Sequence, residues 1–277
     1  MQRTVFEVDV FETGPFTGNP VAVVLGGDGL ADAEMARIAH WLNYSETVFV
    51  LAPTDPTADY AVRIFTPSFE LPFAGHPTLG TAHSWLEAGG VPKGDDVVQE
   101  CGIGLVRVRE VTTGGLAFAA PPLIRSGPPT EDELAEACRH LRVEPAAVLR
   151  AEWVDNGPGW LAVELATVDE VLAVAPAPGD GKVGVIARCP ADDPDGAALE
   201  VRGFFPKDGA TTEDPVTGSL NASLADWLVG DGTLAAPYRA RQGTALGRHG
   251  IVTVTEHGGV LWVGGATSTR VRGDLIV

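Results

Sequence analysis

Cysteine is scarce in this 277-residue sequence: there are three, Cys101, Cys138 and Cys189, far apart in the chain. An odd, scattered set gives no basis for a disulfide framework. It fits reduced thiols in the cytoplasm, each a small buried hydrophobe. Metal-ligand spacings are missing too. The six histidines include no HExxH, and no paired CxxC occurs, so no metal is expected. No unbroken apolar run approaches the roughly 18 residues of a membrane span. The opening MQRTVFEVDVFETG has acids early and no long apolar run, so it does not read as a signal peptide. Basic residues are few: 19 Lys and Arg stand against 37 Asp and Glu, a net charge of −18. Such a surface repels phosphate backbones, and no nucleic-acid partner is expected. A small anionic substrate stays open, because backbone dipoles can hold an anion locally.

What is present suits a soluble globular chain, 45% hydrophobic and 20% charged, long enough for two domains of about 130 residues. Strand patterns occupy 4–11, 20–25 (after a turn at Gly18-Asn19-Pro20), 47–52 and 60–65. Residues 31–43 set Met35, Ile38, Ala39 and Leu42 at helical spacing. A buried helix follows Gly75 and ends at Gly89-Gly90. AAPPLIRSGPPT, at 119–130, has the prolines of a linker. Thr130 and Glu133 form a capping box that opens a helix with Leu134, Ala137, Cys138 and Leu141 on one face. Strands return at 160–165, 183–188 and 199–205, a second buried helix follows Gly218, and strands at 250–256 and 260–267 close the chain. The expected domains are 1–118, which a C-terminal strand at about 265–277 could complete, and 130–264, joined by a linker at 119–129.

The chain also repeats itself. ELPFAGH (70–76) and EDPVTGS (213–219) share Glu-x-Pro-x-x-Gly. Arg63-x-Phe65-x-Pro67 precedes the first and Arg202-x-Phe204-x-Pro206 the second. Ordered agreement of this kind implies a duplicated α+β unit. Glu70 and Glu213 recur at equivalent places, which suits a shared structural task such as pairing Arg63 and Arg202. Gly75-His76 and Gly218-Ser219 read as two helix starts able to bind an anion through uncapped N–H groups. In a pseudo-symmetric pair they are expected to face one cleft. Proton carriers near them are Asp214, His76, Ser219, Glu70 and Glu213. Glu46 sits just before a very apolar strand, where burial would raise its pKa. Asp214 has Leu71 as its counterpart, so it breaks the symmetry as a function-specific acid would.

Taken together, FTGNPVAVV (16–24), NYSETVFV (43–50), RIFTPSFELPFAGHPTLGTAH (63–83), EDPVTGSLNASLADWL (213–228) and RQGTALGRHG (241–250) resemble the phenazine-biosynthesis isomerase (PhzF-like) family over nearly the whole chain. The resemblance implies a diaminopimelate-epimerase-like α+β fold: two pseudo-symmetric domains, each a mostly antiparallel sheet wrapped around a central helix. It implies cofactor-free proton transfer between carbons of a small carboxylic acid, and a homodimer. Glu46 matches the family's acid/base. His76 and Asp214 match polar groups that orient substrate and assist proton movement. Gly75, Gly218 and Ser219 match the binding turns. Racemases and epimerases on this fold use two facing thiols. Ala74 and Thr217 occupy those positions, which tells against that alternative. A non-catalytic metabolite-binding protein is the other alternative. It would have no need for Glu46, His76 and Asp214 together. Leu220-Asn221 departs from the family's small alanines and is expected to alter which substrate fits. Arg241, Gln242 and Gly243 are expected either to touch ligand or to shape their loop.

Overall fold

The computed structural model describes residues 2–111, 114–207 and 209–277. The chain divides into two compact units, Met1–Ala119 with Gly264–Val277, and Ala120–Val263. The first unit begins with β1 (Gln2–Val10), β2 (Asn19–Val24), α1 (Asp32–Leu42), β3 (Thr47–Leu51), β4 (Tyr60–Phe65) and β5 (Glu70–Leu71). It continues with α2 (Gly75–Glu87), β6 (Val97–Cys101), β7 (Gly104–Glu110) and β8 (Leu116–Ala119). The second unit runs β9 (Arg125–Gly127), α3 (Glu131–Leu141), β10 (Arg150–Asp155), β11 (Trp160–Glu164), α4 (Val168–Ala173) and β12 (Lys182–Arg188). Then come β13 (Leu199–Lys207), β14 (Ala210–Asp214), α5 (Gly218–Gly230), β15 (Tyr238–Gln242), β16 (Gly250–His257) and β17 (Val260–Gly265). The last strand, β18 (Thr267–Ile276), returns to the first unit and pairs antiparallel with β1.

The duplication read from the motifs extends to every strand pairing around them. In the first unit β1–β2 is antiparallel, β2–β3 parallel, β3–β4 antiparallel, β4–β6 parallel and β6–β7 antiparallel. In the second, β10–β11, β11–β12, β12–β13, β13–β15 and β15–β16 follow the same sequence of senses. The hairpins agree in register as well: Phe65 faces Glu70 across β4–β5, and Phe204 faces Glu213 across β13–β14. The second hairpin absorbs its extra residues in a longer ladder, which runs on from Phe205↔Thr212 to Lys207↔Ala210. Arg63 grips Glu70 with Nε and Nη2 at 2.8 and 2.6 Å, and Arg202 grips Glu213 at 3.0 and 2.7 Å. The expected pairing of these arginines with these glutamates is what the structure contains.

In each unit the strands wrap a central helix made for close approach. α2 packs against β1, β2, β3, β6, β7, β8 and β18. Its residues from Gly75 to Ala82, and Ser84, are buried, so no face of this stretch is polar-out. Small side chains permit this: a Cβ on Gly80 would stand 2.4 Å from Val21 Cγ1. α5 meets β12 in the same way, where a Cβ on Gly184 would stand 2.6 Å from Leu220. The surface helices follow their sequence signals. Thr130 Oγ1 accepts from Glu133 N, and Glu133 accepts from Thr130 N, closing the expected capping box. Asn43, left-handed at φ 58°, ends α1 and turns the chain toward β3. The expected turn at Gly18-Asn19-Pro20 is shorter than read, since Asn19 and Pro20 already belong to β2.

Candidate active site

In the first unit the site is built at the uncapped start of α2. Ala74 is the N-cap, so no side chain bonds the first-turn N–H groups, and no acid lies in that turn. The helix begins with Gly75, His76 and Pro77, and proline lacks the N–H that would otherwise need a partner there. His76 is 3% exposed. Its Nδ1 lies 3.3 Å from Asn19 Nδ2, at the start of β2, and its Nε2 lies 3.4 Å from Glu46 Oε2. Glu46 stands just before β3 and keeps 15% of its side chain exposed. Three segments far apart in sequence thus converge on one imidazole.

Burial dominates the titration of that imidazole. It pushes the His76 pKa down to about 3, against the opposing effect of a hydrogen bond to the Pro20 carbonyl. At neutral pH the ring is uncharged. The contact with Glu46 is therefore an imidazole–carboxylate contact and not an ion pair. A carboxylate beside a neutral imidazole is a pair through which one proton can move.

In the second unit the equivalent helix start is held by a side chain that the sequence reading left undecided. Gln242 is fully buried and uses its whole amide. Its Oε1 accepts from Thr217 N at 3.0 Å and Asn221 Nδ2 at 2.9 Å. Its Nε2 donates to the Asp214 carbonyl at 3.1 Å and to Thr217 Oγ1 at 2.9 Å. Two donors and two acceptors leave the amide fully satisfied. Gln242 therefore shapes the turn. Arg241 is committed elsewhere, bonding Glu200, Asp193 and Asp195. Gly243 takes a left-handed φ of 95° to follow them.

Gly218 and Ser219 are the first two residues of α5, after the N-cap Thr217, whose side chain does not cap the helix. Ser219 Oγ accepts from Trp160 Nε1 at 3.1 Å, and its carbonyl accepts from Asn156 Nδ2 at 3.1 Å. The indole fixes the hydroxyl oxygen in place and leaves its hydrogen to be donated. Asp214 is buried and pairs in the ladder with Gly203. Leu220 and Asn221, expected to alter substrate fit, are both buried in α5. Leu220 packs on Gly184, and Asn221 ties the turn through Gln242 and the Thr217 carbonyl.

The structure thus joins Glu46, His76 and Gly75 in one unit and Asp214, Gly218 and Ser219 in the other. Sequence reasoning missed Asn19, Asn156 and Trp160. Asn19 lies in FTGNPVAVV (16–24), where its place between Gly18 and Pro20 signals only a turn. Asn156 and Trp160 gave no signal, since only tertiary hydrogen bonds bring them to Ser219. The three thiols lie outside both helix starts. Burial raises the pKa of each, that of Cys189 to about 11.

Comparison with known proteins agrees with this architecture. A family model described as "Phenazine biosynthesis-like protein" matches residues 8–274. Antisense-enhancing sequence 1 of Schizosaccharomyces pombe is 33% identical over 299 residues, covering 98% of each chain. The trans-2,3-dihydro-3-hydroxyanthranilate isomerase of Pseudomonas fluorescens is 33% identical over 261 residues, covering 91% of this chain and 89% of that one. Among solved structures, one titled a predicted epimerase from Pseudomonas aeruginosa superimposes with a TM-score of 0.79 at 26% identity, covering 99% of both chains.

Proposed function

The chain belongs to the phenazine biosynthesis-like family and is an isomerase, and on that premise we propose that it moves a proton between carbons of a small carboxylic acid, without a cofactor, with Glu46 as the acid/base. The observation behind this reading is the Glu46–His76 pair, 3.4 Å apart beside an uncapped helix start. In the proposed reaction Glu46 takes a proton from an sp³ carbon next to a π-system and returns it to another carbon of the same skeleton. No atom is gained or lost, and the electron pair left behind delocalises through the π-system. The N–H groups of Gly75 and His76 suit a carboxylate or a developing enolate-like oxygen. His76, held neutral, orients the substrate and assists the proton on Glu46 without adding a competing charge. Asp214, Gly218 and Ser219 of the second unit are assigned to substrate binding, with the Ser219 hydroxyl as donor.

Two-thiol racemisation has no support at the N-caps, where Ala74 and Thr217 stand. A cytoplasmic homodimer is part of the same proposal. Light scattering on the eluting protein checks the dimer.

The test is proton NMR in D₂O with trans-2,3-dihydro-3-hydroxyanthranilate and a panel of small unsaturated and α-amino carboxylates. Wild type is expected to place deuterium in the carbon skeleton of one of them. Glu46→Gln is expected to lower that rate by about 10²- to 10⁴-fold, the usual contribution of a positioned acid/base. Full activity in Glu46→Gln would remove the assignment.

A further inference from the structure

Side chains on β11 and β12 alternate between two faces. Trp160 and Gly184 face α5, where the indole meets Ser219 and Gly184 meets Leu220. Leu161, Val163, Val183 and Val185 face the other way and share a core with Ala137 and Leu141 of α3. On this second face, where β11 and β12 begin, the second unit contains a cavity of about 520 Å³. Small-molecule pockets span roughly 300–1,000 Å³. None of the residues assigned to proton transfer lines it.

Its walls divide by chemistry. Leu161, Val183 and Trp153 make an apolar floor. Arg125 lies over the Trp153 ring at 3.6 Å and bonds Glu133 at 2.7 Å, while Glu133 also accepts from the indole N–H. That pair is self-neutralised. The corner formed by Glu136, His140 and Asp180 is not. His140 is 6% exposed. Thr211 Oγ1 sends its own hydrogen to the Ala177 carbonyl at 2.7 Å, so at 2.9 Å it can only accept from His140 Nε2–H. This fixes the tautomer and leaves Nδ1 as a lone pair. Among the described residues no hydrogen bond reaches that Nδ1. Gly179 lies against the ring, where a Cβ would stand 2.9 Å from its carbons. The side chains of the corner therefore offer acceptors only: two carboxylates and one imidazole nitrogen. An ammonium group, with three donors and a positive charge, is their complement. Arg139 also lines the cavity and brings positive charge to it.

We infer that this cavity binds a small zwitterion of the amino-acid class, with its ammonium group in the Glu136–His140–Asp180 corner, its carboxylate toward Arg139, and its side chain on Leu161 and Val183. The site is separate from the proton-transfer residues, and its test does not depend on turnover.

Intact protein would be titrated with L-leucine, L-phenylalanine, propylamine and propionate, following intrinsic tryptophan fluorescence. Wild type, the double variant Glu136→Gln/Asp180→Asn and Glu46→Gln would be compared, with circular dichroism melts confirming that each is folded. Saturable binding of at least one amino acid is expected, with propylamine weaker and propionate silent. The double variant is expected to weaken binding at least tenfold, and Glu46→Gln to leave it unchanged. Absence of saturable amino-acid binding would overturn the inference. So would binding that survives the double variant or is lost in Glu46→Gln.

Discussion

His76 is where burial has the clearest consequence for chemistry. Its folded pKa of about 3 lies below the ordinary 6.5. Above pH 6.5 the ring is neutral in both folded and unfolded chains and contributes no pH dependence. Between 6.5 and 3 the unfolded chain binds a proton that the folded one refuses, so acid favours unfolding. The stability is fully present above pH 6.5 and drains as pH falls toward 3, at up to about 1.4 kcal/mol per pH unit from this group. Denaturant titrations of wild type and His76→Asn across pH 7 to 4 are expected to diverge by that slope, the variant being less acid-sensitive. Parallel pH dependences would mean the ring titrates normally.

Elements repeat in this chain, but their surroundings do not, and this separates two copies of one motif. The Arg63–Glu70 pair keeps 28% and 40% of its side chains exposed, whereas Arg202–Glu213 keeps 6% and 8%. Arg202 also donates to the carbonyls of Val171, Leu172 and Val174 at the end of α4. Arg63→Met is therefore expected to cost no more than about 1 kcal/mol. Arg202→Met, which leaves Glu213 buried and uncompensated, should cost about 3–5 kcal/mol. Equal losses in urea unfolding would show that burial does not separate the two pairs. The turn before α5 depends on Gln242 in a similar way. Gln242→Leu removes four hydrogen bonds and strands the Thr217 N–H, so a loss of about 3 kcal/mol is expected by the same measurement.

The whole molecule is two units of one topology, and the first is closed by a strand from the far end of the chain. β18 pairs with β1 from Gln2↔Ile276 to Val10↔Thr267, and His83 of α2 meets Thr267 and Thr269 upon it. Deleting 265–277 is expected to uncover β1 and α2 while leaving the second unit's pairings untouched. Hydrogen exchange should then show protection lost in residues 2–10 and 75–87 and retained in 218–230. Protection that falls equally in both units would mean that they unfold as one.

How much of this was legible in the sequence follows from the range of the interactions involved. The repeat, the two buried helices, the Thr130 cap and the Arg–Glu pairs are local signals or short-range patterns, fixed by capping chemistry, periodicity and turn residues within a few positions. Glu46 and His76 could be named in advance as candidates. Nothing local could say that they lie 3.4 Å apart, that Asn19 supports the ring from a third segment, or that burial keeps it neutral. Likewise Gln242 reads as either a ligand contact or a shaper of its loop, and Trp160 as an ordinary strand residue, until the fold places the amide on the turn before α5 and the indole on Ser219 within it. Sequence alone marked the repeat, the two buried helices and part of the strands, while β6 to β10, β14 and α4 emerge only in the fold. The tertiary structure alone decided which side chains meet and which are withdrawn from water. Proximity and desolvation depend on segments separated by tens to hundreds of residues, and those two quantities set the chemistry of the site.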